Sequence, residues 1–432
     1  MKKLLFIIFA VLAIAGMAQA QDIYSAGYYT NSYGTHNAAV YKNGTKLYGL
    51  GNSENYDFES NAVLYLDGNV YWTKNVTRPS DGAYLYADIY KNGSLWLNSP
   101  TSQGYHINDI AQYNGLVLST GCANVNDIST AVIWSNSNAT PQWQLGDGTR
   151  RSEGRAICVY SGTTYVAGIQ YTSSDSYNGV VWRGTAQQYN LGASVQPRDI
   201  AYYDGDVYTV ANCWDSSSSK WIAKVFKNSS VLYTLTSTST DGRGFSIDID
   251  AGDIFVSGWL GGKLVVWKNG TNWDLFDGSG SFTSRAVAAN QNGVYHVGQS
   301  GGQGRIWKDA TLLYSPSNCD CLYDIYIDEP TCDDATVRTL PFFEGFENNE
   351  TEWACWTKID EDNQNGNRVS YWDRCGTRIK TPATGNYCAR HTYHSSNNQT
   401  GWLISPRIFL QPERDNTVLT FKTYEGDRKS VV

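Results

Sequence analysis

One signature recurs through most of this 432-residue chain: apolar residues run into an aromatic and then, in most copies, into Lys-Asn-Gly or a close variant. The copies are Val40-Tyr41-Lys42-Asn43-Gly44, Ile89-Tyr90-Lys91-Asn92-Gly93, Ile133-Trp134, Val181-Trp182-Arg183-Gly184, Val225-Phe226-Lys227-Asn228, Val266-Trp267-Lys268-Asn269-Gly270 and Ile306-Trp307-Lys308-Asp309. Their aromatics stand 49, 44, 48, 44, 41 and 40 residues apart. A period of that size marks supersecondary units that each cover a neighbour's apolar face. Seven copies predict seven four-stranded units.

Local chemistry resolves each unit. Asn-Gly tolerates positive φ at both turn positions, so it joins two strands in a tight hairpin, the second strand being a short run such as Leu47-Tyr48 or Leu232-Tyr233. A second hairpin reads Ala156-Ile157-Cys158-Val159-Tyr160, a Ser161-Gly162 turn, then Tyr165-Val166-Ala167-Gly168, with equivalents around Asp204-Gly205 and Ala251-Gly252. Strands A and B are the two arms of this hairpin, C is the aromatic strand and D the short last one. No segment carries a helical apolar period of useful length.

Beyond residue 21 the chain opens on a strand B, Ile23-Tyr24-Ser25-Ala26-Gly27, and the last copy is followed by a strand A, Leu322-Tyr323-Asp324-Ile325-Tyr326-Ile327, with no strand B after it. The two fragments complete one blade, which closes a ring and removes its free sheet edges. The expected fold is all-β: a seven-bladed β-propeller over residues 22–328. An open solenoid would not need complementary ends.

This strand order puts the tight A–B and C–D turns on one face and the longer B–C and D–A connections on the other. Loops 30–37, 146–153, 170–178 and 214–220 are polar and varied, as binding loops on a rigid scaffold are; plain linkage between blades is the alternative. Loop aromatics such as Tyr33, Tyr177 and Trp214 are candidates to stack on sugar rings, whereas most other Trp and Tyr read as core. Counting ten residues back from the Tyr165 position of each strand B gives Asn61, Asn108, Arg155, Arg198, Phe245 and Arg285, where strand A enters the central channel. Guanidinium matches planar anions bidentately, so Arg155, Arg198 and Arg285 with Asn61 and Asn108 form a candidate rim for a carboxylate or sulfate. Inter-blade ion pairs or capped carbonyls are the competing reading.

Charge and targeting bound the partners. A net charge of −8 with 17% charged residues leaves no basic face for phosphates, which excludes nucleic acid. Lys2 and Lys3, an apolar run over 4–17 and Ala18-Gln19-Ala20 read as a secretory signal peptide, residues 1–20, the run being too short to span a bilayer. A secreted or surface-displayed monomer without a transmembrane segment is expected. Five histidines are scattered, and no nucleophile elbow, phosphate loop or zinc cysteine quartet appears, so no catalytic residue is nominated. A carboxylate pair assembled from distant loops would still suit glycoside hydrolysis.

After Ile327 the repeat ends. Residues 329–339, with Glu329-Pro330 and Asp333-Asp334, read as a linker. Then come Pro341-Phe342-Phe343-Glu344-Gly345-Phe346-Glu347, Trp353, Trp356, Asp360-Glu361-Asp362-Asn363, Gly401-Trp402-Leu403-Ile404-Ser405-Pro406 and Val418-Leu419-Thr420-Phe421. This segment, residues 340–426, resembles the cleaved-adhesin, MAM-like jelly-roll modules of secreted Bacteroidetes proteins, including adhesin regions attached to cysteine proteases. The propeller repeat likewise resembles repeats of exported Bacteroidetes proteins. The resemblance implies a β-sandwich and bound calcium, with Glu344 or Glu347, Asp360, Asp362 and Asn363 as ligands. Their oxygens suit calcium, although the glycine spacing of an EF-hand is missing and a solvated acidic loop is the alternative.

Residues 427–432 can be encoded by a stretch similar to a common sequencing adapter. The expectation is an incomplete jelly roll whose native chain continues past Gly426. The functional expectation is a secreted or surface binding and adhesion protein recognising protein or glycan through the propeller loops and the adhesin-like module. The runner-up is a secreted carbohydrate-active or peptidase-associated enzyme whose catalytic part is a propeller site or lies in the missing C-terminus.

Overall fold

The computed structural model describes residues 21–328 apart from 100–103, 139, 277–281 and 291, and beyond them only the backbone of short strands between 338 and 409. Asp22–Asp328 form one compact unit. It contains seven antiparallel sheets, the blades of a β-propeller. Blade 1 joins strand A (Cys321–Asp328) to strands B (Asp22–Thr30), C (His36–Lys42) and D (Thr45–Leu50), so the two distant fragments do complete one sheet. The remaining A strands are Asp57–Glu59 with Val63–Leu66 in blade 2, His106–Tyr113, Ser152–Tyr160, Val195–Tyr203, Gly242–Asp250 and Phe282–Asn290. A strands of successive blades lie side by side round the ring.

The Lys-Asn-Gly signature is explained by what each residue does at the C–D turn. Asn43, Asn92, Asn269 and Asp309 adopt φ of 49°, 48°, 49° and 44°, the left-handed region where Asn and Asp are tolerated. Each side chain then accepts the backbone N–H of the second residue of strand B: from Ile23, Val70, Ile254 and Val294, all at 2.9 Å. The preceding cation lies over the strand B aromatic, Lys42 on Tyr24, Lys91 on Tyr71, Arg183 on Tyr165 and Lys308 on Tyr295, at 5.2 to 6.0 Å from the ring centroids. One tripeptide therefore ties strands B, C and D together.

Between blades the apolar faces stack. Leu118, Ala131, Ile133 and Leu145 of blade 3 pack on Ile157, Val166, Val180 and Trp182 of blade 4, and equivalent clusters fill the other interfaces. Trp72, Trp134, Trp182 and Trp267 are among the largest fully buried side chains. Polar latches supplement this packing. Asn75 and Asn212 each make two bonds to the strand A of the next blade, Asn75 with Ile107 (2.9 and 2.7 Å) and Asn212 with Gly244 (2.9 and 3.0 Å). Asp109, Asp199, Asp248 and Asp324 accept from Ile157, Ile247, Ala289 and Val63 of the following blade at 2.7 to 2.9 Å.

Four connections depart from the expected pattern, for the B–C links of blades 3, 6 and 7 are two-residue turns, Asn126-Asp127, Gly261-Gly262 and Gly301-Gly302. Between blades 4 and 5 strand D (Ala186–Ala193) and strand A are separated by Ser194 alone, at φ 57°, so D–A connections are not uniformly long. Among the described residues Cys122, Cys158, Cys213 and Cys319 are free thiols. No helix among the described residues is long and apolar enough to cross a membrane.

The C-terminal unit is described by its backbone alone. Tyr371–Gly376 pairs antiparallel with Tyr387–Thr392, placing Cys375 opposite Cys388, and Thr357–Asp360 pairs with Gly401–Ile404. The expected calcium ligands Glu344, Glu347, Asp362 and Asn363 lie outside the described residues, as does the side chain of Asp360.

Candidate binding site at the channel mouth

The residues found by counting share a structural origin. Strand A carries a β-bulge in six blades, and the residue left unpaired is Asn108, Arg155, Arg198, Phe245, Arg285 or Tyr323; in blade 2 Asn61 falls in the break between the two halves of strand A. A bulge inserts one residue and re-aims its side chain. Here it brings Arg155, Arg198 and Arg285 within electrostatic reach of one another and sets Arg285 against Phe245 and Tyr323, near the start of strand A where the D–A loops arrive. Tyr323 is the seventh member, missed by counting because its partner strand lies at the opposite end of the chain.

A repeated strand B glycine makes the bulge possible. A methyl on Gly27, Gly121, Gly168 or Gly258 would collide with the carbonyl oxygen of Cys321, His106, Glu153 or Arg243, respectively. Each of those residues stands two positions before the bulge, so the close approach fixes a second tier of the mouth: Glu59, His106, Glu153, Gln196, Arg243 and Cys321. Sequence reasoning passed over this tier, although the same count plus two would have found it.

The tiers are electrically polarised. Arg155, Arg198, Arg243 and Arg285 stand on four consecutive blades. Burial, then the charge of Arg155, then Arg243 and Arg285 push the Arg198 guanidinium down to about 10, with Glu153 opposing. Glu153 is the carboxylate set among them: it accepts from Arg155 Nη2 at 3.3 Å and Asn108 Nδ2 at 3.2 Å and lies 3.5 Å from His106 Nε2. Burial alone would raise its carboxyl, but Arg155 first and His106 next hold it well below the usual carboxylate range. Arg285 is sandwiched between Phe245 and Tyr323, 5.2 and 5.1 Å from their centroids. Arg155 Nη1, Arg198 Nε and Arg285 Nε are buried with no hydrogen-bond partner among the described residues.

The opposite arc differs. His36 stacks on Tyr28 at 3.8 Å and bonds Glu59 at 2.9 Å; burial works against its protonation, but Glu59 and Asp57 outweigh it and raise its pKa. Burial, assisted by Cys321 and Glu59, pushes the Tyr28 hydroxyl up to about 12, and burial with Glu153 and Glu59 does the same at Tyr84.

Of the expected site residues, Arg155, Arg198 and Arg285 converge as counted. Asn108 instead commits its amide to Gly154 O (2.7 Å) and Glu153, which is the capped-carbonyl role. Asn61 anchors its own backbone on Thr73 Oγ1 (2.9 Å). Tyr177 is tied to the rim, since Gln196 Nε2 donates to its hydroxyl at 2.7 Å and Gln196 Oε1 accepts from Arg198 at 3.1 Å. Trp214 is 41% exposed and edge-on to Trp221 at 5.3 Å, and Arg243 in turn covers Trp221 at 5.6 Å. Among the described residues no three His, Cys, Asp or Glu side chains group as a metal site.

No family model matches the chain, and comparison with characterised proteins returns no significant match. Solved propeller structures are similar in fold only. The WD40 propeller domain of Doa1 is 16% identical, with 60% of this chain and 82% of that one covered and a TM-score of 0.38. Trypanosoma rangeli sialidase in complex with sialic acid is 10% identical, with 70% and 56% covered and a TM-score of 0.35. A nidogen/laminin complex chain is 10% identical, with 59% and 93% covered and a TM-score of 0.34.

Proposed function

We propose that this is an exported binding protein whose propeller captures an anionic group of an extracellular protein or glycan at the channel mouth. The observation that carries this reading is the convergence of Arg155, Arg198 and Arg285, each with a buried guanidinium nitrogen lacking a partner, in a chain whose overall charge is negative. Like charges crowded in a partly desolvated site are costly, and an oxyanion supplies both the missing acceptors and the opposing charge. Export follows from the signal peptide over residues 1–20. An adhesin-like, calcium-holding module over 340–426 would add a second contact.

Binding is favoured over hydrolysis by the state of the carboxyls. Glycoside hydrolysis needs a protonated acid beside an ionised partner. Glu153 is held ionised, Glu59 is engaged by His36, and among the carboxyls that burial raises Asp109, Asp199, Asp248 and Asp324 bond the backbone of adjacent blades. The test is calorimetric titration of the full chain with sulfate and with acidic and neutral oligosaccharides, beside a hydrolysis screen. Binding that the paired R155A and R198A substitutions abolish, without turnover, supports the reading. Turnover, or binding unaffected by both substitutions, overturns it.

A further inference from the structure

The mouth has a neighbour that says more about its ligand. Trp214 and Trp221 open and close the B–C loop of blade 5, and Arg243 of the mouth covers the Trp221 ring, so an exposed aromatic ledge is continuous with the arginine well. From the same blade Gln196 joins Arg198 to the hydroxyl of Tyr177 on blade 4, which adds amide and hydroxyl groups beside the guanidinium. Resting on the anion reading above, we infer that the ligand is the acidic end of an oligosaccharide: the terminal sugar places its carboxylate or sulfate among Arg155, Arg198 and Arg285, and the next sugar stacks on Trp214.

Three physical arguments select this class. Sugar rings present flat C–H faces that cover aromatic rings, and their hydroxyls both donate and accept, which Tyr177, Gln196 and Glu153 answer. The seven A strands close a ring and the arginines gather at one end of it, a layout suited to the end of a chain more than to its middle. A peptide that adds a strand needs an open sheet edge, and ring closure removes the inner edge at blade 1. Arg285, clamped between Phe245 and Tyr323, is already immobilised, so little side-chain freedom is lost on binding.

The experiment titrates the full chain, by calorimetry, with a uronic acid trimer, its methyl ester, a sulfated disaccharide, a glutamate-rich peptide of equal charge and sodium sulfate. The uronate trimer or the sulfated sugar is expected to bind best, and which of the two does so identifies the charge. Esterification should weaken the trimer at least tenfold, as should R155A with R198A. W214A should weaken the trimer roughly two- to tenfold and leave inorganic sulfate unchanged. Because paired arginine losses can unsettle the mouth, R155K with R198K is measured beside them; it keeps the charge, loses the fork and should bind in between. Preference for the peptide, sulfate binding alone, or a W214A variant that binds the trimer normally overturns the glycan assignment and leaves the anion well standing. Failure of every anion overturns both.

Discussion

At the residue scale, the recurring Asn and Gly each answer a different steric demand. Asn269 combines a positive φ with two side-chain bonds, accepting from Ile254 N (2.9 Å) and donating to Asp253 Oδ1 (2.8 Å). Asn269→Ala removes both and strains the turn, and should cost about 1–3 kcal/mol in urea unfolding. Asn269→Gly restores the φ freedom and should cost less, which separates the two contributions. Gly168 has another reason to be glycine: a methyl there would press on the Glu153 carbonyl and the Trp182 ring. Gly168→Ala should therefore lower stability by roughly 1–3 kcal/mol and also disturb Glu153, so calorimetry should show weaker anion binding together with a lower melting temperature. Turn asparagines were readable from sequence because their demand is local. Nothing local distinguished Asn75 and Asn212, which serve the backbone of the next blade.

Among elements, the A strands hold the ring, and their latches make stability depend on pH. Burial pushes the Asp324 carboxyl up to about 7 and that of Asp248 up to about 6, while their backbone N–H partners oppose the rise. Both residues are half-buried, and each carboxyl accepts a backbone N–H of the next blade. A carboxyl raised in the folded state contributes stability that is fully present below its unfolded value, about 4, and is lost as pH rises through the folded value. The melting temperature should thus fall between about pH 4 and about pH 7 on account of these groups. Asp324→Asn keeps an acceptor for Val63 N–H and needs no proton, so it should flatten that slope in differential scanning calorimetry. An unchanged slope would show that Asp324 does not titrate in this range. The bulges of the same strands were legible only as a counting pattern. Sequence gave the positions Arg155, Arg198 and Arg285, but pairing register alone revealed that each is an unpaired, re-aimed residue.

For the whole molecule, closure is the decisive event, because strands Asp22–Thr30 and Cys321–Asp328 meet across nearly the full length of the propeller. Removing residues 321–328 would expose the inner edge of strand B in blade 1 and the apolar face of blade 7. Size-exclusion chromatography of that deletion should show self-association, and unfolding should lose its single cooperative transition. A monomeric, cooperatively unfolding deletion would mean that the other blade interfaces suffice.

The amino-acid sequence by itself determined the period, the four strands of each blade, the turn chemistry and the complementary ends, because these depend on residues close together or on repetition that needs no partner to be seen. Tertiary structure alone decided which side chains share the mouth. The Arg155–Glu153–His106 cluster, the Arg285 sandwich and the seventh rim residue, Tyr323, unite side chains from different blades. Their proximity is created by ring closure and by bulge geometry, which no stretch of chain carries on its own.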